Sequence, residues 1–90
     1  MTTRYRVHPE LRLTSLEGEG VVLHLGTRRY FSVNETGLTI LEALQPEATV
    51  PEMVTALTNR FEVTEAHAQE SVRTFLERCL AAHLVEEITA

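Results

Sequence analysis

The spacing of the apolar residues changes at Asn34, and this change constrains the fold more than any other feature of the chain. Before Asn34, apolar residues recur at every second position, as Leu11 and Leu13 do. After it, they recur at every third or fourth position, as Leu38 and Leu41 do. Because side chains repeat every two residues along a strand and about every 3.6 along a helix, the sequence predicts strands followed by helices.

Three short strands are predicted before Asn34. They cover residues 11–14, 21–25 and 29–33. Turns that contain glycine separate them, which favours an antiparallel meander. In the third predicted strand, Phe31 and Val33 lie on one face, and Tyr30 and Ser32 lie on the other.

Three helices are predicted after the strands. Asn34, Thr49 and Thr64 are good N-caps, and Thr49 forms a capping box with Glu52. The third helix is the longest and ends near residues 82–83. Their apolar stripes comprise Leu38, Ile40, Leu41 and Leu44, then Val50, Met53, Val54 and Leu57, then Ala68, Val72, Phe75, Leu76, Cys79, Leu80 and Leu84.

The short connection at residues 61–63 joins the second and third helices as a helix-turn-helix pair. The fold predicted from this order is therefore α+β and winged helix-turn-helix-like: a three-stranded antiparallel meander followed by three helices (βββααα). With only 90 residues, the chain is expected to form a single domain over residues 1–90. Residues 84–88 are expected to add a short extended tail.

The charged residues exclude several kinds of chemistry. All 8 basic residues are Arg and all 13 acidic residues are Glu. Without Lys or Asp, the chain has no Schiff-base lysine, phosphate-loop lysine or aspartate-based triad. Residues 1–33 carry five Arg against three Glu, whereas residues 34–90 carry three Arg against ten Glu. This acidic balance argues against nucleic-acid binding.

The histidines and the cysteine do not form a predicted site. His8, His24, His67 and His83 fall in four different predicted elements. Cys79 and His83 are spaced to share a helix face, but two ligands are too few for a metal. Cys79 also lies deep in a helix, where no helix N-terminus lowers its pKa. We expect no metal, no cofactor and no enzymatic activity.

A single cysteine permits no intramolecular disulfide, which fits a reducing compartment. Residues 1–10 lack the apolar core of a signal peptide, and no apolar run is long enough to span a bilayer. We therefore expect a cytoplasmic protein without membrane association.

A winged-helix DNA-binding protein is the alternative suggested by the fold. However, the solvent side of the third helix carries three acids against two bases, whereas DNA contacts require the reverse. This side comprises Glu65, Gln69, Glu70, Arg73, Thr74, Glu77 and Arg78.

The third predicted strand is an unprotected sheet edge. Residues 30–33, the body of this strand, contain none of the prolines, lysines or inward charges that commonly prevent pairing at an edge. Either a helix or the C-terminal tail covers this edge, or a guest peptide adds a strand to it. Phe75 and Cys79 lie at a margin of the wide apolar stripe of the third helix, with Val72 just inside it, so these residues are candidates for the floor of a groove.

Residues 11–88 resemble the PqqD-like family. The resemblance lies in the meander, in the segment YFSVNETGLTILEAL and in the long third helix ending in Leu84-Val85. Val33 stands where the family commonly has Leu, and Leu41 where it commonly has Trp. The resemblance implies a small winged-helix recognition element for ribosomally synthesised, post-translationally modified peptides. Such elements perform no chemistry.

Family members bind the leader of a precursor peptide as an extra antiparallel strand on their third strand, against the third helix, and present the peptide to a separate enzyme. The resemblance is greatest to the free-standing leader-binding subunit of lasso-peptide systems, whose enzyme is a leader peptidase or cyclase. The alternative is a PqqD-type peptide chaperone for a radical SAM enzyme in quinone-cofactor biosynthesis. The expected peptide-binding residues are Arg28, Arg29, Tyr30, Phe31, Ser32, Val33, Val72, Phe75, Leu76 and Cys79, with Arg28 and Arg29 binding carboxylates.

Overall fold

The computed structural model of the chain describes residues 3–89. Its elements, in chain order, are β1 (Thr3–Val7), β2 (Leu11–Leu16), β3 (Glu19–His24), β4 (Arg29–Val33), α1 (Glu35–Ala43), β5 (Ala48–Thr49), α2 (Val50–Arg60), α3 (Glu65–Ala81) and β6 (Val85–Thr89).

The predicted meander is confirmed as the antiparallel sheet β2-β3-β4. His24 lies opposite Leu11 on one side and opposite Arg29 on the other, which fixes the register of all three strands. Arg28, in the turn between β3 and β4, has a φ of 59°, a left-handed conformation that is uncommon for a residue with a side chain. The third predicted strand is therefore β4.

The predicted helix starts are also confirmed. The side chain of Asn34 accepts a hydrogen bond from the backbone N–H of Gly37 at 2.9 Å, and that of Thr64 caps α3 in the same way. In the capping box of α2, the backbone N–H of Thr49 donates to Glu52 Oε1 at 2.8 Å. This bond is the main reason that the pKa of Glu52 is below its ordinary value. Each cap satisfies N–H groups that have no partner inside their helix.

The predicted order βββααα is incomplete, because a second antiparallel sheet, β5-β1-β6, joins the two ends of the chain. Its central strand pairs Arg6 with Glu86, and the two side chains form an ion pair at 3.0 Å. The predicted extended tail is part of this sheet. Tyr5 and Val7 alternate with charged residues as in a strand, but the pairing partner lies at the other end of the chain, so no local signal indicates it.

The hydrophobic core lies mainly between the three helices, and their predicted apolar stripes form it. Leu11 and Val22 contribute from the meander, and Ala48 and Val85 contribute from the second sheet. The buried apolar side chains of the helices are Leu38, Ile40, Leu41 and Leu44 in and after α1, Met53, Val54 and Leu57 in α2, and Ala68, Val72, Leu76 and Cys79 in α3. The described part of the molecule is thus a mixed α+β fold with antiparallel strands and three helices.

Candidate functional site

Strand β4 is an open edge. In the described part of the chain it pairs with β3 alone, and the C-terminal segment pairs with β1 instead of covering it. The possibility that the tail covers this edge is therefore wrong. The edge therefore offers unpaired backbone groups to a further strand.

The register shows which backbone groups of β4 face the open side. The N–H of Leu25 donates to the carbonyl of Glu10 at 2.9 Å, so this residue bonds towards β2. The direction of backbone hydrogen bonding alternates along an antiparallel strand, so the next residue, His24, bonds to Arg29 of β4. Every second residue of β4, starting at Arg29, therefore bonds to β3. The N–H and C=O groups of the intervening residues, Tyr30 and Ser32, therefore point to the open edge.

A groove of about 520 Å³ lies between β4 and α3, directly beside this edge. Its surface is mainly apolar, with Arg78 as the charged group at its side. The residues that line it are Phe31, Ser32, Val33, Asn34, Phe75, Arg78, Cys79, Ala82 and Leu84. The groove can accept apolar side chains from a strand that pairs with β4.

Gly37 positions the aromatic part of the groove. A Cβ atom at this buried glycine would lie 2.8 Å from Cε1 of Phe75 and 3.3 Å from Cβ of Val33. Any larger residue would push against the ring. The absence of a side chain on α1 therefore allows Phe75, on α3, to pack closely beside the end of β4.

A second cavity, of about 380 Å³, continues from the groove past the end of β4. The two cavities share Asn34, Phe75 and Arg78. Its other lining residues, from α1 and α3, are mostly polar: Thr36, Gly37, Ile40, His67, Glu70, Ser71 and Thr74. Arg78 thus stands at the boundary between the two cavities.

The structure brings half of the sequence-predicted site residues together in the groove. These are Phe31, Ser32, Val33, Phe75 and Cys79. The other five lie outside the groove.

Val72 is fully buried in the core. Leu76 is also buried and lines a separate cavity of about 510 Å³ between α2 and α3. Tyr30 is 74% exposed and lies on the opposite face of β4 from Phe31. Arg28 and Arg29 are exposed at the start of β4.

Four residues of the groove were not predicted from the sequence: Asn34, Arg78, Ala82 and Leu84. Arg78 and Ala82 follow Phe75 by three and seven residues, a spacing that places them on the same side of a helix. Helical spacing was therefore a usable signal for these two. Leu84 enters the groove only because the chain turns back after α3, where its N–H donates to the carbonyl of Cys79 at 2.9 Å.

The ends of β4 carry opposite charges. Arg28 and Arg29 stand at its start, and no ion pair joins either of them to a described carboxylate. Glu35 follows its other end, and Glu19 stands beside that end on β3. The two arginines are free to bind carboxylates of a partner.

Cys79 acts as an apolar wall of the groove. Burial raises the pKa of its thiol to about 12, so the sulfur stays protonated and un-nucleophilic near neutral pH. Within residues 3–89, no three metal-ligating side chains come together. Nor does any described helix combine the length and the apolar character needed to cross a bilayer.

A family model and two solved structures match the chain. The family described as "Coenzyme PQQ synthesis protein D (PqqD)" matches residues 19–85. The fold is similar to "TbiB1 in Complex with the TbiA(beta) Leader Peptide", with a TM-score of 0.79 and 24% identity over 90% of this chain and 94% of that chain. It is also similar to "Lasso peptide synthetase B1 complexed with the leader peptide", with a TM-score of 0.72 and 17% identity over 91% and 96% of the two chains. No curated protein sequence matches.

Proposed function

This chain belongs to the PqqD family, as its sequence predicts, and we propose on that basis that it is a non-catalytic adaptor for the leader segment of a ribosomally synthesised precursor peptide. The observation that carries the proposal is the open edge of β4 beside an apolar groove. We treat residues 1–90 as one PqqD-like domain, and we describe it as winged helix-turn-helix-like because a meander accompanies the closely connected helices α2 and α3.

The leader adds to β4 as an antiparallel strand. It exchanges backbone hydrogen bonds with Tyr30 and Ser32, whose N–H and C=O groups face the edge. The leader residue opposite Phe31 then directs its side chain to the groove, and so do the residues two positions before and after it. A leader with apolar residues at alternating positions fits this arrangement.

Backbone pairing alone does not supply strong binding. Four hydrogen bonds at about 1 kcal/mol each give about 4 kcal/mol, which corresponds to a millimolar Kd. Burial of one apolar side chain contributes a further ~1.5–3 kcal/mol. The groove formed by Phe31, Phe75 and Cys79 is therefore needed for useful affinity, and it gives the selection that backbone bonds lack.

The charges near β4 indicate where acidic residues lie in the leader. In an antiparallel arrangement, leader residues that follow the added strand lie beside Arg28 and Arg29, at the start of β4. We infer that acidic residues occupy these positions, since the guanidinium groups bind carboxylates in a bidentate manner. Arg78, at the side of the groove, offers a further contact for a leader carboxylate.

We propose that the partner enzyme is a separate leader peptidase or cyclase of a lasso-peptide system. The support is the similarity of the fold to two solved structures whose descriptions name leader-peptide complexes. The family description supports a second candidate, a peptide chaperone for a radical SAM enzyme in quinone-cofactor synthesis. Because such precursors are made on ribosomes, we place the protein in the cytoplasm.

The test starts from short open reading frames that neighbour the coding sequence of this chain: the leader half of each encoded peptide is titrated by fluorescence anisotropy, with its core half as the negative control. We expect Phe75→Glu to weaken leader binding at least tenfold, because a carboxylate replaces an apolar surface of the groove. Leu80→Glu is the matched control: Leu80 is also half-buried on α3, but it lines the cavity against α2. Equal binding by Phe75→Glu and the parent would contradict the proposal.

A further inference from the structure

The open edge of β4 is complementary to itself. Strands related by a two-fold axis run antiparallel, and an antiparallel register joins only residues whose backbone groups face one another. Tyr30 and Ser32 face the edge, and the register that pairs both of them sets Tyr30 of one copy opposite Ser32 of the other, with Phe31 on the axis. Each of these Tyr30–Ser32 pairs exchanges both of its N–H···O bonds.

The charges around β4 favour this pairing. Arg28 and Arg29 are exposed at one end, and Glu19 and Glu35 are exposed at the other. Arg60 forms an ion pair with Glu35 at 3.2 Å, so Glu19, which is in no described ion pair, is the carboxylate that carries the acidic character of this end. Glu10 also lies near the basic turn, but on the side of β2, where its carbonyl accepts the N–H of Leu25. An antiparallel pair of β4 strands places the basic end of each copy beside the acidic end of the other. Opposite charges therefore meet at both ends of the interface.

Apolar contacts reinforce the pairing at its centre. Phe31 occupies a non-hydrogen-bonded position relative to the second copy, where opposite Cα atoms approach to about 4.5 Å. Its ring is half-buried at the entrance of the groove. Two such rings meeting on the axis cover the entrances of both grooves, which removes apolar surface from water.

We propose that, in the absence of a peptide, the chain forms a two-fold dimer through β4, and that a leader peptide and the second copy compete for this edge. The competition rests on the proposed function, whereas the dimer does not. When nine tenths of the protein molecules are in dimers, only one tenth of the β4 edges are free to bind the leader. Its apparent Kd is then about ten times higher than at high dilution.

The test is sedimentation velocity of the full chain, without peptide, from micromolar to millimolar concentration. We expect a monomer–dimer equilibrium for the parent. The double variant Arg28→Glu/Arg29→Glu makes both ends of β4 acidic, and Glu19→Arg/Glu35→Arg makes both ends basic. Each variant is expected to stay monomeric alone, whereas their equimolar mixture regains the dimer because unlike ends meet again. Circular dichroism verifies that both variants are folded.

A second variant tests the edge itself. Ser32→Pro removes one N–H of the open side and is expected to abolish the dimer. A parent that stays monomeric throughout, a folded mixture that does not associate, or a dimer that survives Ser32→Pro each overturns the inference. Monomeric protein that binds the leader leaves the proposed function standing. A β4 dimer that binds no leader refutes the proposed function alone.

Discussion

Replacing Gly37 with alanine tests how closely α1 and α3 define the groove. The new Cβ atom would lie 2.8 Å from Cε1 and 3.2 Å from Cζ of Phe75. Both distances are shorter than the optimal separation of nonbonded carbon atoms, which is about 3.5–4.0 Å. The ring must therefore move away from α1. Its free side is the groove, because Phe75 is half-buried and lines that space. We expect the ring to enter the volume that the leader occupies.

The magnitudes separate the effect on stability from the effect on binding. Alanine in place of glycine stabilises a helix by up to about 1 kcal/mol, and overpacking a core costs about 1–3 kcal/mol. Because the ring can move towards solvent, the cost lies at the lower end, and the free energy of unfolding changes by less than about 1 kcal/mol. Leader binding loses the burial of one apolar side chain, ~1.5–3 kcal/mol, which raises Kd by about 10-fold to 100-fold.

Urea denaturation measures the first quantity, and the leader titration measures the second. In a Phe75→Leu background the ring is absent, so Gly37→Ala is expected to leave the Kd of that background unchanged. If Gly37→Ala stabilises the protein by the full helix-propensity gain and binds the leader as the parent does, the ring does not pack against Gly37 and the reasoning is refuted.

Three further features are each tested by substitution, with Phe31→Pro as the matched control for Ser32→Pro. Ser32→Pro is expected to abolish leader binding but to lower the stability by under about 1 kcal/mol, because the N–H of Ser32 faces the open edge. Phe31→Pro, in contrast, removes a hydrogen bond to β3 and is expected to unfold the sheet. Glu52→Gln is expected to remove a stabilisation that the parent has above pH 4.5 and loses as pH falls through the lowered pKa of Glu52. Between pH 9.0 and about 12 the thiol of Cys79 ionises in the unfolded chain but not in the folded protein, which lowers the stability of the parent as the pH rises. Cys79→Ala is expected to make this fall in stability smaller.

Urea denaturation at a series of pH values measures the last two effects. A larger loss of stability in Ser32→Pro than in Phe31→Pro would show that the bonding direction assigned to β4 is reversed. A Glu52→Gln variant with the acid dependence of the parent would contradict the capping assignment. Rapid alkylation of Cys79 in the folded protein at pH 8 would contradict its burial.

Local physical rules account for what could be predicted. The change of apolar spacing at Asn34 separates strands from helices, and caps such as that of Thr49 depend on residues within one turn. The unprotected edge at β4 was also readable, because the residues that protect edges are recognisable types. Phe31, Val33 and Phe75 were found as groove residues for the same reason: strand alternation and helical spacing assign each to a face.

The tertiary structure decided the features that depend on residues distant in the chain. The pairing of β1 with β6 joins opposite ends of the chain, and it removes the tail as a cover for β4. Helical spacing placed Val72, Leu76 and Phe75 on one stripe, but only the packing of α3 against its neighbours decided that the first two are buried and the third faces the groove. Spacing along the chain determines the face on which a side chain lies, whereas the element that packs against that face is determined by contacts that no local pattern encodes.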